Sequence, residues 1–598
     1  MGKKRQSYKS KKRLPPQKRK RVECEASQSA ESSDDETVEQ QQPMVASSSS
    51  ATGDGSSHTL SSSASSEKLL KCHDVKLEKE EELTGFRFID CELFVQFVQG
   101  LLCPECKRPL GSSRLSFVKE DRTDLASQFS FQCGCNNTVR FSSSKVVSRV
   151  FEVNRRFPLA MFSIGRHQAQ GKRFLGNMNM PCSLNNSTWA NHRNQIKKAT
   201  ETVADKSKSR AAEEARHAYE GNDITVSGDG TYQRRGFQSK NGVVTMLSVN
   251  GKQSKVLDCE VLSNHCDACK KSEKKREGAE LARWKTAHEK KKGVCDKNHN
   301  GSAGAMEPAG AVNIFRRSET KHNLRYVNFL GDGDSKTYTT LKNEQLYDDV
   351  TIAKLECCGH VQKRMGRHLT NKVNELKKET FVSNGKTVKG IGGQNKLTKK
   401  AILKIQGHFG AGIRKNAGNL QKMKQDIWAI YNHRRRDHTN CGNWCPSKTG
   451  RGEPDRNAFP DFVCDAIRPV FETLTQDSLL ERCLHGGSQN TNESLHNMIW
   501  ERCPKTTYVG RKRLCIAVAD ATIVYNEGEL GRLDIFSELG MEPGVWTTQC
   551  MTTLDRKRTV AGQIQACAAM QFARQRRALI AADQEVDREE YYLAGGHE

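Results

Sequence analysis

No uninterrupted apolar run approaches the ~18–20 residues that cross a bilayer, so no helical membrane span is expected. The opening stretch MGKKRQSYKS has no apolar core of the kind a secretory leader carries. Hydrophobic residues make up 35% of the chain and mean hydropathy is −0.73, too little to bury all of it. Part of the chain is therefore expected to be disordered. Acids are missing altogether from the first 22 residues, which carry eleven Lys or Arg. No solenoid-type repeat is present either.

What is abundant is positive charge, with a formal net charge of +26 and a pI near 9.3. An excess of this size concentrates anions, and a polyphosphate such as DNA is the expected partner. The chain holds 22 cysteines without a secretory leader, a pattern that favours thiolate metal sites over disulfides. At 598 residues it exceeds one hydrophobic core, and about four domains are expected.

Composition divides the chain. Residues 1–84 read as a disordered basic and Ser-rich region, in which KKRLPPQKRKR (Lys11–Arg21) looks like a nuclear-import signal. In 85–145, Cys103 and Cys106 are followed by Cys133 and Cys135, resembling a zinc ribbon in which each hairpin supplies two thiolates. The second pair is CxC, and free buried cysteines are the alternative. Residues 146–222 read as a mixed, helical DNA-binding region closing on a charged, solvent-facing helix, KKATETVADKSKSRAAEEARHAYE.

Three strand-like runs follow, at 224–229, 242–249 and 255–263, then a helix over 309–322 and a fourth strand over 325–332. Three strands, a helix and a strand open an RNase H-like sheet, and many other α+β domains begin similarly. A core over 223–530 is expected to carry a metal-knuckle insert at 264–300 and a helical insertion at 342–485. A helix over 490–503 is read with Asn492 as its N-cap. Residues 531–598 are read as a helical, basic tail.

Three acids stand where this topology brings them together. Asp229 ends the first strand in VSGDGTY, Asp332 ends the fourth in NFLGDGDS, and Glu493 opens the late helix in NTNESLHN. Three carboxylates at one point repel unless a cation lies between them, and Mg²⁺ suits oxygen ligands and substrate phosphates. Taken singly, an Asp-Gly after a strand is more often a turn.

Cys266, Cys269, Cys295 and His299 form CxxC-x25-CxxxH, a spacing for structural Zn²⁺. Cys357 and His360 stand in CxxH spacing, followed on one helix by Lys363, Arg364 and Arg367, which could lie along a DNA backbone or form a solvated face. His433, His438, Cys441 and Cys445 offer a further cluster, incomplete by spacing alone.

GDGTYQRRGFQSKNGVVTMLSV, NHNGSAGAMEPAGAVNIFRRSE, LRYVNFLGDGDSKTY, CCGHVQKRMG and CLHGGSQNTNESLHNMIWERCPK, in this order, resemble the Mutator-like transposase domain of animal transposable elements. The resemblance implies an RNase H-like core with an α-helical insertion before the last acid. It implies a DDE triad mapping to Asp229, Asp332 and Glu493, with Asp334 the alternative second acid, and a CxxH mapping to Cys357 and His360 as a zinc or structural pair.

It further implies a nuclear cut-and-paste enzyme using Mg²⁺ or Mn²⁺ on double-stranded DNA. Its substrates would be terminal inverted repeats and target DNA, on which a homo-oligomer forms. Alternatives are a domesticated or decayed copy acting as a sequence-specific DNA-binding protein, and a nuclease without strand transfer.

Overall fold

A computed structural model describes residues 84–567 and 577, apart from 112–114, 182–183, 235–237, 251–252, 291–293, 333–335 and 451–457. The basic cluster Lys11–Arg21, Asp334 and nearly all of 568–598 lie outside the described residues.

The first module pairs a helix, α1 (Cys91–Gln99), with an antiparallel sheet of β1 (Leu115–Thr123), β2 (Ala126–Cys133) and β3 (Thr138–Ser142). Asp90 caps α1, its carboxylate accepting from the Glu92 N–H at 2.8 Å. Val98, Leu110 and Phe131 form a small core around Cys103 and Cys133. Three helices follow, among them α2 (Glu152–Ser163) and the 34-residue α3 (Asn186–Tyr219).

The central sheet comprises β4 (Asp223–Tyr232), β5 (Asn241–Ser248), β6 (Val256–Ser263), β7 (Arg325–Gly331) and β8 (Ala353–Glu356), in the order β8-β7-β4-β5-β6. β4, β5 and β6 form an antiparallel meander, while β7 and β8 run parallel to β4. Between β6 and β7 lie α4 (Gly278–Lys290) and α5 (Met306–Arg316).

All eight residues of β5 are buried, as expected of GVVTMLS, an almost continuous apolar run suited to a strand covered on both faces. Val244 and Met246 pack with Ile314 and Phe315 on one face. Val243 and Leu247 pack on the other with Leu495, Leu514 and Val518. Those last residues belong to α10 (Asn490–Arg502) and α11 (Arg511–Glu527), so the core has three layers, helix on sheet on helix.

α11 has thirteen of its seventeen residues buried, because α3 covers its far side. α3 is accordingly no solvent-facing helix: Ile196, Ala199, Val203, Ala204, Ala211 and Ala215 are buried along it, and alanines permit the close approach.

The helical insertion begins later than expected. β8 falls inside 342–485 but is the fifth strand of the sheet, too short at four residues for its pattern to register. The insertion proper starts with α6 (Cys358–Glu375) and continues through α7 (Lys399–Lys415), α8 (Leu420–Arg434) and α9 (Asp461–Leu474). It has its own core, including Met365, Ile405, Phe409, Ile427 and Phe471.

Nor do residues 531–566 form a free tail. Ile535, Phe536 and Leu539 join the core of α2 and α3, and Asp555 of a last helix (Val545–Ala566) accepts from the Glu529 and Leu530 N–H groups. Among the described residues no helix is long and apolar enough to cross a membrane.

Candidate active site and metal centres

The register of β4 against β7 positions the first two acids. Parallel pairing runs as far as Ser227 opposite Leu330 and then stops. Asp229 and Asp332 each stand two residues beyond that last pair, so the two carboxylates leave neighbouring strands at the same level. Asp332 directly follows β7. Asp229 does not end its strand, because on its other side β4 keeps pairing with β5 as far as Tyr232 opposite Gly242.

The GDG that sequence reads as a turn is therefore a strand, and its glycines serve close approach. A Cβ on Gly228 would fall 2.4 Å from the Phe329 ring, and one on Gly230 would fall 2.6 Å from Glu307 Oε2.

The third acid is brought back by the way the insertion closes. The chain leaves the sheet at Glu356 and returns at His485–Gln489, and the two points are tied. The Cys358 N–H donates to the Gly487 carbonyl at 3.1 Å, and the Gln489 N–H to Cys357 Sγ at 3.3 Å.

Helix α10 is then bolted to the sheet. Gln489 Nε2 donates to the Gly228 carbonyl at 2.7 Å, Trp500 Nε1 to Thr231 Oγ1 at 2.9 Å, and Asn492 Nδ2 to the Ser227 carbonyl at 3.2 Å. The Ser227 hydroxyl donates back to Asn492 Oδ1 at 2.6 Å. Asn492 is thus no N-cap but a fully buried anchor, with the cap position one turn earlier at Gln489. Leaving such a buried amide unpaired costs about 1–3 kcal/mol. Asn492 points inward, and Glu493 beside it is exposed.

The electrostatics show how close these groups are. Burial, then the charges of Glu307 and Glu493, push the Asp229 carboxyl up to about 7, against the backbone at Gly230 and the charge of His360, which lower it. Burial likewise raises Glu307, with the charge of Asp332 adding to it. Asp229, Asp332 and Glu493 do not converge to within the 4.8 Å that the cysteine and histidine clusters below achieve.

Glu307, in the first turn of α5, was missed from sequence although it lies in the quoted run NHNGSAGAMEPAGAV. His496 was missed as well. Its Nδ1 lies 3.6 Å from Asp229 Oδ2 and its Nε2 2.9 Å from Thr245 Oγ1, and burial lowers it to about 3, so it stays neutral. An i, i+3 pairing of Glu493 with His496 was the available signal.

Cys357 and His360 stand together beside the acids, but among the described residues no further Cys or His completes a metal group there. His360 Nδ1 lies 3.7 Å from Asp332 Oδ1. Its hydrogen bond to Cys357 raises the imidazole, and against burial the same bond holds the thiol low. The pair thus stands as two ligands at most, with His360 beside Asp332.

Of Lys363, Arg364 and Arg367 on α6, Arg364 is taken by the buried Glu356, at 2.9 Å. Lys363 and Arg367 remain exposed, one helical turn apart.

Three Cys/His clusters have the dimensions of tetrahedral zinc, in which thiolates at ~2.3 Å from the ion lie ~3.8 Å from each other. In the first module Cys103 and Cys135 are 3.7 Å apart and Cys106 and Cys133 3.8 Å, so the CxC closes as well as a CxxC. In the knuckle Cys269 and Cys295 are 3.7 Å apart, and the fourth member is His288, whose Nε2 is 3.5 Å from Cys266 Sγ. His299 is not part of it.

The reason lies in α4, which folds back over the cysteines with His288 stacked on Trp284, ring centroids 4.6 Å apart. His299 is held away, with its Nε2 at 3.2 Å from the Ser302 carbonyl. The third cluster joins the end of α8 to the loop beyond it: His433, His438, Cys441 and Cys445 converge, Cys445 Sγ lying 3.4 Å from His438 Nδ1.

A Mutator-like transposase sequence model matches residues 85–445, more than half of the chain. The chain belongs to the Mutator-like transposase family. The match takes in all three cysteine and histidine clusters, Asp229 and Asp332, and ends before Glu493. No curated protein matches the chain.

Metal analysis of this Mutator-like protein should find three zinc ions per chain. His288→Ala and Cys445→Ser should each lose one and His299→Ala none, and loss on His299→Ala with retention on His288→Ala would reverse the assignment.

Asp229 also sets a pH dependence. A carboxyl raised above its unfolded value, ~4, contributes stability that is complete below that value and lost as pH rises through about 7. In zinc-loaded, magnesium-free buffer the melting temperature should therefore fall between those pH values, and Asp229→Asn should flatten the slope.

Proposed function

We propose that this protein is a DDE-type DNA transposase that binds element termini in the nucleus, cleaves phosphodiester bonds and joins the freed 3′-hydroxyl to target DNA. The observation that carries the reading is the placement of Asp229 and Asp332 at one level on adjacent parallel strands, with Glu493 delivered beside them by an anchored helix. The strand order β8-β7-β4-β5-β6, with the outer pair parallel to β4, supports an RNase H-like core. Membership of the family supports action on DNA.

The donor set suits Mg²⁺ or Mn²⁺: oxygen ligands only, one of them raised to about 7 by burial and by neighbouring negative charge that a cation would offset. Asp229 and Asp332 would hold such ions from the sheet and Glu493 from α10, and the chemistry supplied there would be activation of the attacking oxygen and stabilisation of the leaving one. His360 keeps Asp332 turned toward the site. Lys363 and Arg367 face solvent on α6, where they can take backbone phosphates without reading sequence. The three zinc clusters stiffen the first module, the knuckle and the insertion. A homo-oligomer holding two ends is part of this reading.

The test is cleavage and strand transfer on a duplex carrying the element's own termini, with Mg²⁺ or Mn²⁺. Asp229→Asn, Asp332→Asn and Glu493→Gln should each lower both steps by about 10³-fold or more while DNA binding persists. Unchanged cleavage by all three would refute the triad, and cleavage without joined product would leave only a nuclease.

A further inference from the structure

The three acids account for neither the crowding at Gly230 nor the largest single charge acting on Asp229, and both come from Glu307. Glu307 is carried by the first turn of α5, the helix packed across β4 and β5. Its Oε1 accepts from the Thr337 hydroxyl at 2.9 Å, and Thr337 is buried at the start of the helix that follows β7. Its Oε2 faces β4 at Gly230, where only a glycine leaves room. The carboxylate is thus fixed from two sides, against the residue that follows Asp229 and within reach of the charge of Asp332.

Among the described residues no cation accounts for this placement. Among the described residues Glu307 has no ion-pair partner within 4 Å, and the Thr337 group that bonds it is a neutral hydroxyl. A half-buried carboxylate turned toward two others is unfavourable unless a positive charge is shared among them. A structural glutamate would be expected to have an arginine or lysine, as the buried Asp258 has in Arg317 and Lys208.

We propose that Glu307 is a fourth metal-holding carboxylate of the Asp229, Asp332 and Glu493 site, supplied by α5 from the side opposite α10. The proposal rests on the metal-dependent reading of that site. It makes the site a four-acid one, with two carboxylates from adjacent strands and one from a helix on each face of the sheet. Thr337 then acts as a positioning residue that holds Oε1 and leaves Oε2 for the ion.

The experiment is a Mn²⁺ titration of the full-length, zinc-loaded protein followed by electron paramagnetic resonance, with melting temperatures taken with and without Mn²⁺. Glu307→Gln keeps the acceptor for Thr337 and removes only charge. It should weaken Mn²⁺ binding about tenfold or more, shrink the Mn²⁺-induced rise in melting temperature, and leave the melting temperature of the Mn²⁺-free protein unchanged or higher, since one repulsion is gone. Thr337→Val, which keeps the charge, should weaken binding less.

Wild-type Mn²⁺ affinity in Glu307→Gln would overturn the proposal, as would a lower Mn²⁺-free melting temperature with affinity unchanged. Asp229→Asn separates the two levels. If it abolishes binding while Glu307→Gln does not, only the role of Glu307 fails. If neither changes binding, the metal reading of the whole site fails with it.

Discussion

The parallel pairing of β4 with β7 is the constraint on which the rest of the site depends. It ends at Ser227 opposite Leu330 and so places Asp229 and Asp332 together at the level where the ladder gives out. Asp229 is desolvated there, and the charges of Glu307 and Glu493 add to the effect of its burial, while Asp332 stays exposed. The fold tolerates this because everything around it is over-determined. Gly228 admits Phe329, Gly230 admits Glu307, and α10 is tied to β4 at three successive points. A cation is the one addition that would turn the strain into cohesion.

The long insertion is compatible with this because it is closed at its base. Residues 358–484 build a separate helical core, yet their two ends meet through Cys357, Cys358, Gly487 and Gln489. The chain can therefore wander far and still return Glu493 within one helical turn of a buried anchor. Its zinc-sized cluster at His433, His438, Cys441 and Cys445 stiffens the far end of α8. Exposed Lys363 and Arg367 lie on α6, the first helix after this closure, so the same base that returns the acid also presents positive charge near it.

Much of this was legible in the sequence where one strong periodic or spacing signal stood alone. The apolar β5, the meander, the strand ahead of Asp332 and the cysteine pairs fall in that group. What sequence could not show was set by tertiary contact. His288 outcompetes His299 because α4 folds back, which a CxxxH spacing cannot express. Asn492 looks like a cap and is an anchor, because its partners are on strands more than two hundred residues earlier. α3 reads as charged and solvent-facing because its buried side is rich in alanine, which leaves little hydrophobic contrast. Arg364 and Glu307 are of the same kind, their roles set by Glu356 and Gly230, which no local pattern connects to them.

The central claim is that these carboxylates jointly hold divalent metal. Replacing Mg²⁺ by Fe²⁺ and adding ascorbate and peroxide generates hydroxyl radicals at the bound ion, which cut the nearest backbone. The account predicts cuts clustered around residues 229, 332 and 493, suppressed by excess Mg²⁺ and lost in Asp229→Asn. Cuts confined to the cysteine clusters, or unchanged in Asp229→Asn, would contradict it.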